Sequence, residues 1–99
     1  MDRASLFENV RRYFAKDPSV IRVLAFGSFA TGTSTRRSDL DLVVVKETQE
    51  RFMDRLTRNY LDLDSAVGVP VDLLVYTPAE WERQRRRLFF SQARMEVIL

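Results

Sequence analysis

Val20-Ile21-Arg22-Val23-Leu24-Ala25-Phe26 runs straight into Gly27-Ser28, and after ten more residues comes Asp39-Leu40-Asp41-Leu42-Val43-Val44-Val45. Both runs are rich in β-branched and apolar side chains, which predicts strands over 20–26 and 39–45. The 12 residues between them, Gly27 to Ser38, are polar and leave room for at most one helical turn. That is too short for an ordinary helical crossover, so the two strands are expected to be antiparallel. Side chains alternate along a strand, so Asp39 and Asp41 should project to one face with Cα atoms roughly 6.6 Å apart. Leu40, Leu42 and Val44 then take the opposite face and pin the register against a core.

On the N-terminal side, Leu6, Phe7, Val10, Tyr13 and Phe14 fall at helical spacing and predict a first helix, broken by Lys16-Asp17-Pro18-Ser19. Phe52, Met53, Leu56, Tyr60 and Leu63 form the stripe of an amphipathic helix expected over 48–64. Gly68 and Pro70 end it, and 71–76 reads as a third strand, parallel to the second because a full helix separates them. Val71, Leu73 and Val75 should face helices, with Asp72, Leu74 and Tyr76 on the other side. Thr77-Pro78-Ala79-Glu80 is a capping box, with a hydroxyl N-cap, proline at N1 and glutamate at N3, so a helix should carry Trp81 and the arginines after it. Val97-Ile98-Leu99 reads either as a helix end or as a short edge strand. The expectation is one α/β (α+β) domain over 1–99, a small mixed sheet with helices packed on it.

Composition narrows the chemistry. The 99 residues contain neither cysteine nor histidine. This excludes zinc fingers, iron–sulfur and haem ligation, thiol proteases and every mechanism that needs imidazole. Catalysis here must run on carboxylates, hydroxyls, lysine, arginine and backbone amides, and oxygen-ligated Mg²⁺ is the natural metal. Net charge is +2, too mild to signal nucleic acid by itself. The first residues lack the basic and apolar regions of a secretion signal, so a cytoplasmic location is expected.

Two carboxylates side by side repel unless a cation lies between them, and a divalent metal resolves the conflict at Asp39 and Asp41. Asp72 stands in an otherwise apolar strand, where a charge is costly without a partner, and it can join the pair if its strand adjoins theirs. Glycine at 27 lets backbone approach a ligand closely, and Ser28 offers a hydroxyl and an amide to phosphate oxygens. Together these describe a metal-dependent nucleotide site. It is not a P-loop, because Thr33 stands where lysine is required, nor a dinucleotide fingerprint, which needs a further glycine.

Gly27-Ser28, Ser38-Asp39-Leu40-Asp41-Leu42 and Val71-Asp72-Leu73 resemble the polymerase-β-like nucleotidyltransferase superfamily, and within it the minimal, MNT-type members. The resemblance runs from Val20 to Trp81 and implies a polymerase-β-type nucleotidyltransferase fold. It implies that Asp39, Asp41 and Asp72 ligate Mg²⁺, with Asp72 acting as, or assisting, the general base on the acceptor hydroxyl, while Gly27 and Ser28 hold the triphosphate. It further implies transfer of a nucleoside monophosphate, AMP from ATP, to a hydroxyl of a partner protein. The setting implied is a HEPN/MNT toxin–antitoxin pair, in which this chain is the antitoxin and AMPylates a HEPN-type toxin in a hetero-oligomer. Two departures stand out. Phe29 occupies a place where many minimal members have arginine, leaving Arg36 and Arg37 as the cations to hold nucleotide, and no glycine precedes the last apolar residues. The competing readings are a non-catalytic module that neutralises its partner by contact, and an aminoglycoside-type enzyme acting on a small molecule. The run Arg83 to Arg87 reads as a solvated helix face, with a docking surface for an acidic partner or RNA as the sharper alternative. Trp81, Phe89 and Phe90 read as core or interface, and Ser38 as a turn residue.

Overall fold

A computed structural model describes residues 2–35 and 38–99, with all of their side chains except those of 57 and 58. The elements run α1 (Arg3–Ala15), β1 (Val20–Phe26), α2 (Ser28–Thr31), β2 (Leu40–Lys46), α3 (Phe52–Asn59), α4 (Leu63–Val67), β3 (Val71–Tyr76), α5 (Pro78–Gln84), α6 (Leu88–Gln92) and β4 (Glu96–Val97). One four-stranded sheet has the order β3-β2-β1-β4. As expected, β1 pairs antiparallel with β2, and β2 pairs parallel with β3. The C-terminal ambiguity resolves to an edge strand, since Leu24 and Ala25 pair antiparallel with Val97 and Glu96.

The central strand β2 is covered on both faces, which is why Leu42 to Val45 is an unbroken apolar run. On one face Leu40, Leu42 and Val44 meet Val75 and the α1 stripe of Leu6, Phe7, Val10 and Phe14. The Asp2 carboxylate starts that helix, accepting from the Ser5 amide at 2.8 Å. On the other face Leu24, Phe26, Val43, Val45 and Tyr76 pack beneath Trp81 and Phe90. Tyr76 stacks on Trp81 at 5.9 Å, and Phe90 meets Trp81 edge-on at 5.2 Å and Phe26 at 5.7 Å.

Two expectations about helices are corrected. The helix expected over 48–64 is two helices. Thr48 closes a turn by accepting from the Glu50 amide, so helix begins only at Phe52. The chain then leaves helix at Tyr60, whose hydroxyl accepts from Lys46, while Asp62 accepts from the Tyr13 hydroxyl at 2.6 Å. The helix after the capping box, whose end the sequence leaves open, stops at Gln84 and so carries Trp81 and Arg83 but not Arg86 or Arg87. Leu88 starts a separate turn that carries Phe90 onto the sheet.

The capping box forms as expected and does a second job. Glu80 accepts from the Thr77 amide at 2.8 Å and also holds Arg55 through both carboxylate oxygens, at 2.6 and 3.3 Å. Arg55 is only 5% exposed and also donates to the carbonyls of Glu50 and Val75. Glu80→Ala should therefore cost about 2–3 kcal/mol in urea unfolding, because it strands a buried guanidinium. The hydrogen bond from Arg55 holds the Glu80 carboxyl below its ordinary 4.5. That stabilisation is complete above pH 4.5 and is lost as pH falls through the lowered value, so wild type and variant should converge on acidification.

Candidate active site

Gly27 ends β1 in a conformation, φ 72° and ψ −153°, that side chains essentially do not adopt. It is the N-cap of α2, whose turn closes when the Ala30 and Thr31 amides donate to the Gly27 carbonyl. The leading amides of a helix have no intrahelical acceptor, so those of Ser28 and Phe29 head the turn as donors. Gly27 is also glycine for lack of space. A Cβ there would collide with the Asp41 carboxylate, lying 3.3 Å from its Cγ and closer still to Oδ2.

Asp41 sits on β2 directly across from Phe26 and in register with Asp72 on β3. Phe26, Asp41 and Asp72 thus share one end of one sheet face, the face roofed further along by α5 and α6. Burial first, then the charges of Asp72 and Asp39 and a hydrogen bond with Asp72, push the Asp41 carboxyl up. Asp39 precedes the strand, at its mouth, and is exposed, as is Asp72 on the edge strand. As they stand, no three acidic side chains among the described residues are gathered tightly enough to hold an ion. The donor set nevertheless suits a hard divalent cation. Asp41 and Asp72 are crowded like charges, Asp39 acts on the same group, and all three offer oxygen.

The other residues singled out in the sequence fall differently. Phe29 is buried at 6% exposure in the core beneath α1, so position 29 serves packing in this chain. Arg36 and Arg37 lie outside the described residues. Ser38 is a turn residue, its hydroxyl accepting from the Thr35 amide at 2.8 Å and its own amide donating back to the Thr35 carbonyl.

Residues 7–93 match the family model described as a nucleotidyltransferase domain. The chain belongs to that family. The membership agrees with the resemblance carried by Gly27-Ser28, Asp39-Leu40-Asp41 and Val71-Asp72-Leu73. Among solved structures, this nucleotidyltransferase domain is similar over its whole length to a toxin–antitoxin crystallised with AMP-PNP, with TM-score 0.62, 20% identity and 73% of that chain covered. It is equally similar to a mutant of the toxin–antitoxin MntA–HpeT in which two aspartates two residues apart are replaced by glutamate, with TM-score 0.61, 18% identity and 73% coverage. At these identities the likeness is one of fold. No curated protein matches in sequence. Among the described residues, no helix is long and apolar enough to cross a membrane.

Proposed function

We propose that this domain is a Mg²⁺-dependent nucleotidyltransferase that moves AMP from ATP to a hydroxyl of a partner protein, and that it serves as antitoxin to a HEPN-type toxin. The observation that carries the reading is the meeting of Gly27, Asp41 and Asp72 at one end of one sheet face. A glycine forced by contact with a carboxylate, followed by a serine that heads a helical turn, makes sense where phosphate must come close to acidic residues. The toxin–antitoxin nature of two structural relatives supports the biological setting.

In the proposed reaction the acceptor oxygen attacks the α-phosphorus in line. Its bond to phosphorus forms as the bond to the bridging oxygen of the leaving pyrophosphate breaks. The acceptor proton passes to a carboxylate, for which Asp72, exposed on the edge strand, is the candidate. Ser28 and the leading amides of α2 would hold triphosphate oxygens, and Asp39, Asp41 and Asp72 would bind Mg²⁺, which supplies charge neutralisation and orientation. With carboxylates and amides as its only tools, such a site works by positioning and electrostatics, and the absence of histidine from the sequence is no obstacle. The test is to supply ATP, Mg²⁺ and the protein encoded beside it, comparing wild type with Asp39→Ala/Asp41→Ala. Label should reach the partner only with wild type. Silencing of the partner without any transfer would replace the enzymatic reading with inhibition by contact.

A further inference from the structure

On the same sheet face, away from the carboxylates, α5 and α6 roof only part of the strands. An open groove of about 590 Å³ remains beside them. Its floor and inner wall are apolar, formed by Leu24, Val45, Trp81, Phe90 and Met95, and Arg22 and Arg85 stand at its rim. The one carboxylate lining it, Glu82, is already paired with Arg85 and Arg86. The segment from Trp81 to Met95, which builds the wall, carries five arginines against that single glutamate, in a chain whose net charge is only +2. Arg22, Arg83, Arg87 and Arg94 are exposed, with no carboxylate within ion-pair distance among the described residues.

We infer that this groove docks an acidic amphipathic helix of the partner protein. An apolar slot edged by arginines accepts an apolar stripe flanked by Asp or Glu, and Arg22, which has no carboxylate partner among the described residues, then gains one. A second copy seated face to face is the wrong occupant, since it would bring the same arginines to meet these. Nucleic acid suits the rim but not the aliphatic floor, and Trp81 already stacks on Tyr76. The position also fits a protein acceptor. From Arg22 to Phe26 is four residues of strand, about 13 Å, so a helix seated here lies within a side chain and a short loop of Asp41. The inference rests on the reading that this domain acts on a partner protein, but it holds whether that action is transfer or contact.

The test places p-benzoylphenylalanine at Ile21, which borders the groove, or at Leu61, which is 83% exposed on the α3–α4 turn away from it. The full chain is then photo-cross-linked in its native cells. The expected result is a cross-link from position 21, and not from 61, to a segment whose sequence has an acidic face beside a helical apolar stripe. Arg22→Glu/Arg85→Glu should abolish that cross-link and weaken binding of the segment, made as a peptide, at least tenfold, with the melting temperature unchanged. Asp41→Asn should keep the cross-link. A wild-type chain that cross-links but transfers no label would contradict the transfer reading and leave the groove standing. Cross-linking to RNA, to another copy of this chain, to a basic or non-helical segment, equally from position 61, or to nothing overturns the inference.

Discussion

Gly27→Ala should cost the fold about 2–4 kcal/mol and reduce transfer at least about 100-fold. Two independent penalties combine. The backbone at position 27, φ 72° and ψ −153°, is costly for any residue with a Cβ. That Cβ would also lie 3.3 Å from Asp41 Cγ and collide with Oδ2, so Asp41 must turn away or the end of β1 must shift. Either response moves the carboxylate relative to the amides that head α2. Gly32 provides the control. It too has positive φ, at 78°, but a Cβ there meets nothing within 4 Å. Gly32→Ala should therefore carry the backbone cost alone, roughly 1 kcal/mol, with transfer within a few-fold of wild type. Urea unfolding and a transfer assay on the two variants separate strain from collision.

Asp41→Asn should abolish at least about 1,000-fold of the transfer rate while leaving the metal-free protein more stable than wild type, by roughly 2–5 °C in melting temperature. Burial and the charges of Asp72 and Asp39 raise the Asp41 carboxyl above its ordinary 3.8. A carboxyl raised on folding gives its full stability below pH 3.8, and the fold loses it as pH rises through the raised value. At neutral pH the wild-type protein carries the whole cost of that buried, crowded charge, and asparagine carries none of it. Added Mg²⁺ should raise the melting temperature of wild type and not of the variant, because a cation bound only by the folded state stabilises it by mass action. A variant that melts lower without metal would mean that Asp41 serves the fold rather than the site.

The sheet and the carboxylates could be read from the sequence because strand periodicity is local. The alternation Leu40, Leu42, Val44 against Asp39, Asp41, Val43 fixes which side chains share a face. The short polar loop and the longer helical stretch set antiparallel and parallel pairing. What could not be read depends on distant partners. The break at Tyr60 is held by Lys46 and Asp62–Tyr13 hydrogen bonds from other elements, so the stripe Phe52 to Leu63 looks continuous in sequence. The end of α5 has no glycine or proline to mark it, and the turn toward α6 serves the packing of Phe90 on Phe26, Tyr76 and Trp81. Position 29 is a third case. A phenylalanine beside a phosphate loop reads as a missing contact, and only the packing against the α1 core explains it as a core residue. Of the groove, the sequence showed the arginine run 83–87 as an alternative docking surface, but not Arg22, which stands inside a strand where the β1–β2 register shifts.

Whether Gly27, Asp41 and Asp72 form a nucleotidyl-transfer site is decided by the position of a label. The full chain is incubated with Mg²⁺, the protein encoded beside it, and ATP labelled on either the α- or the γ-phosphate. A nucleotidyl-transfer site should leave the α-label covalently bound to the partner and release the γ-label in pyrophosphate, and Asp41→Asn should transfer neither. Incorporation of the γ-label, or α-label transfer that survives Asp41→Asn, would contradict it.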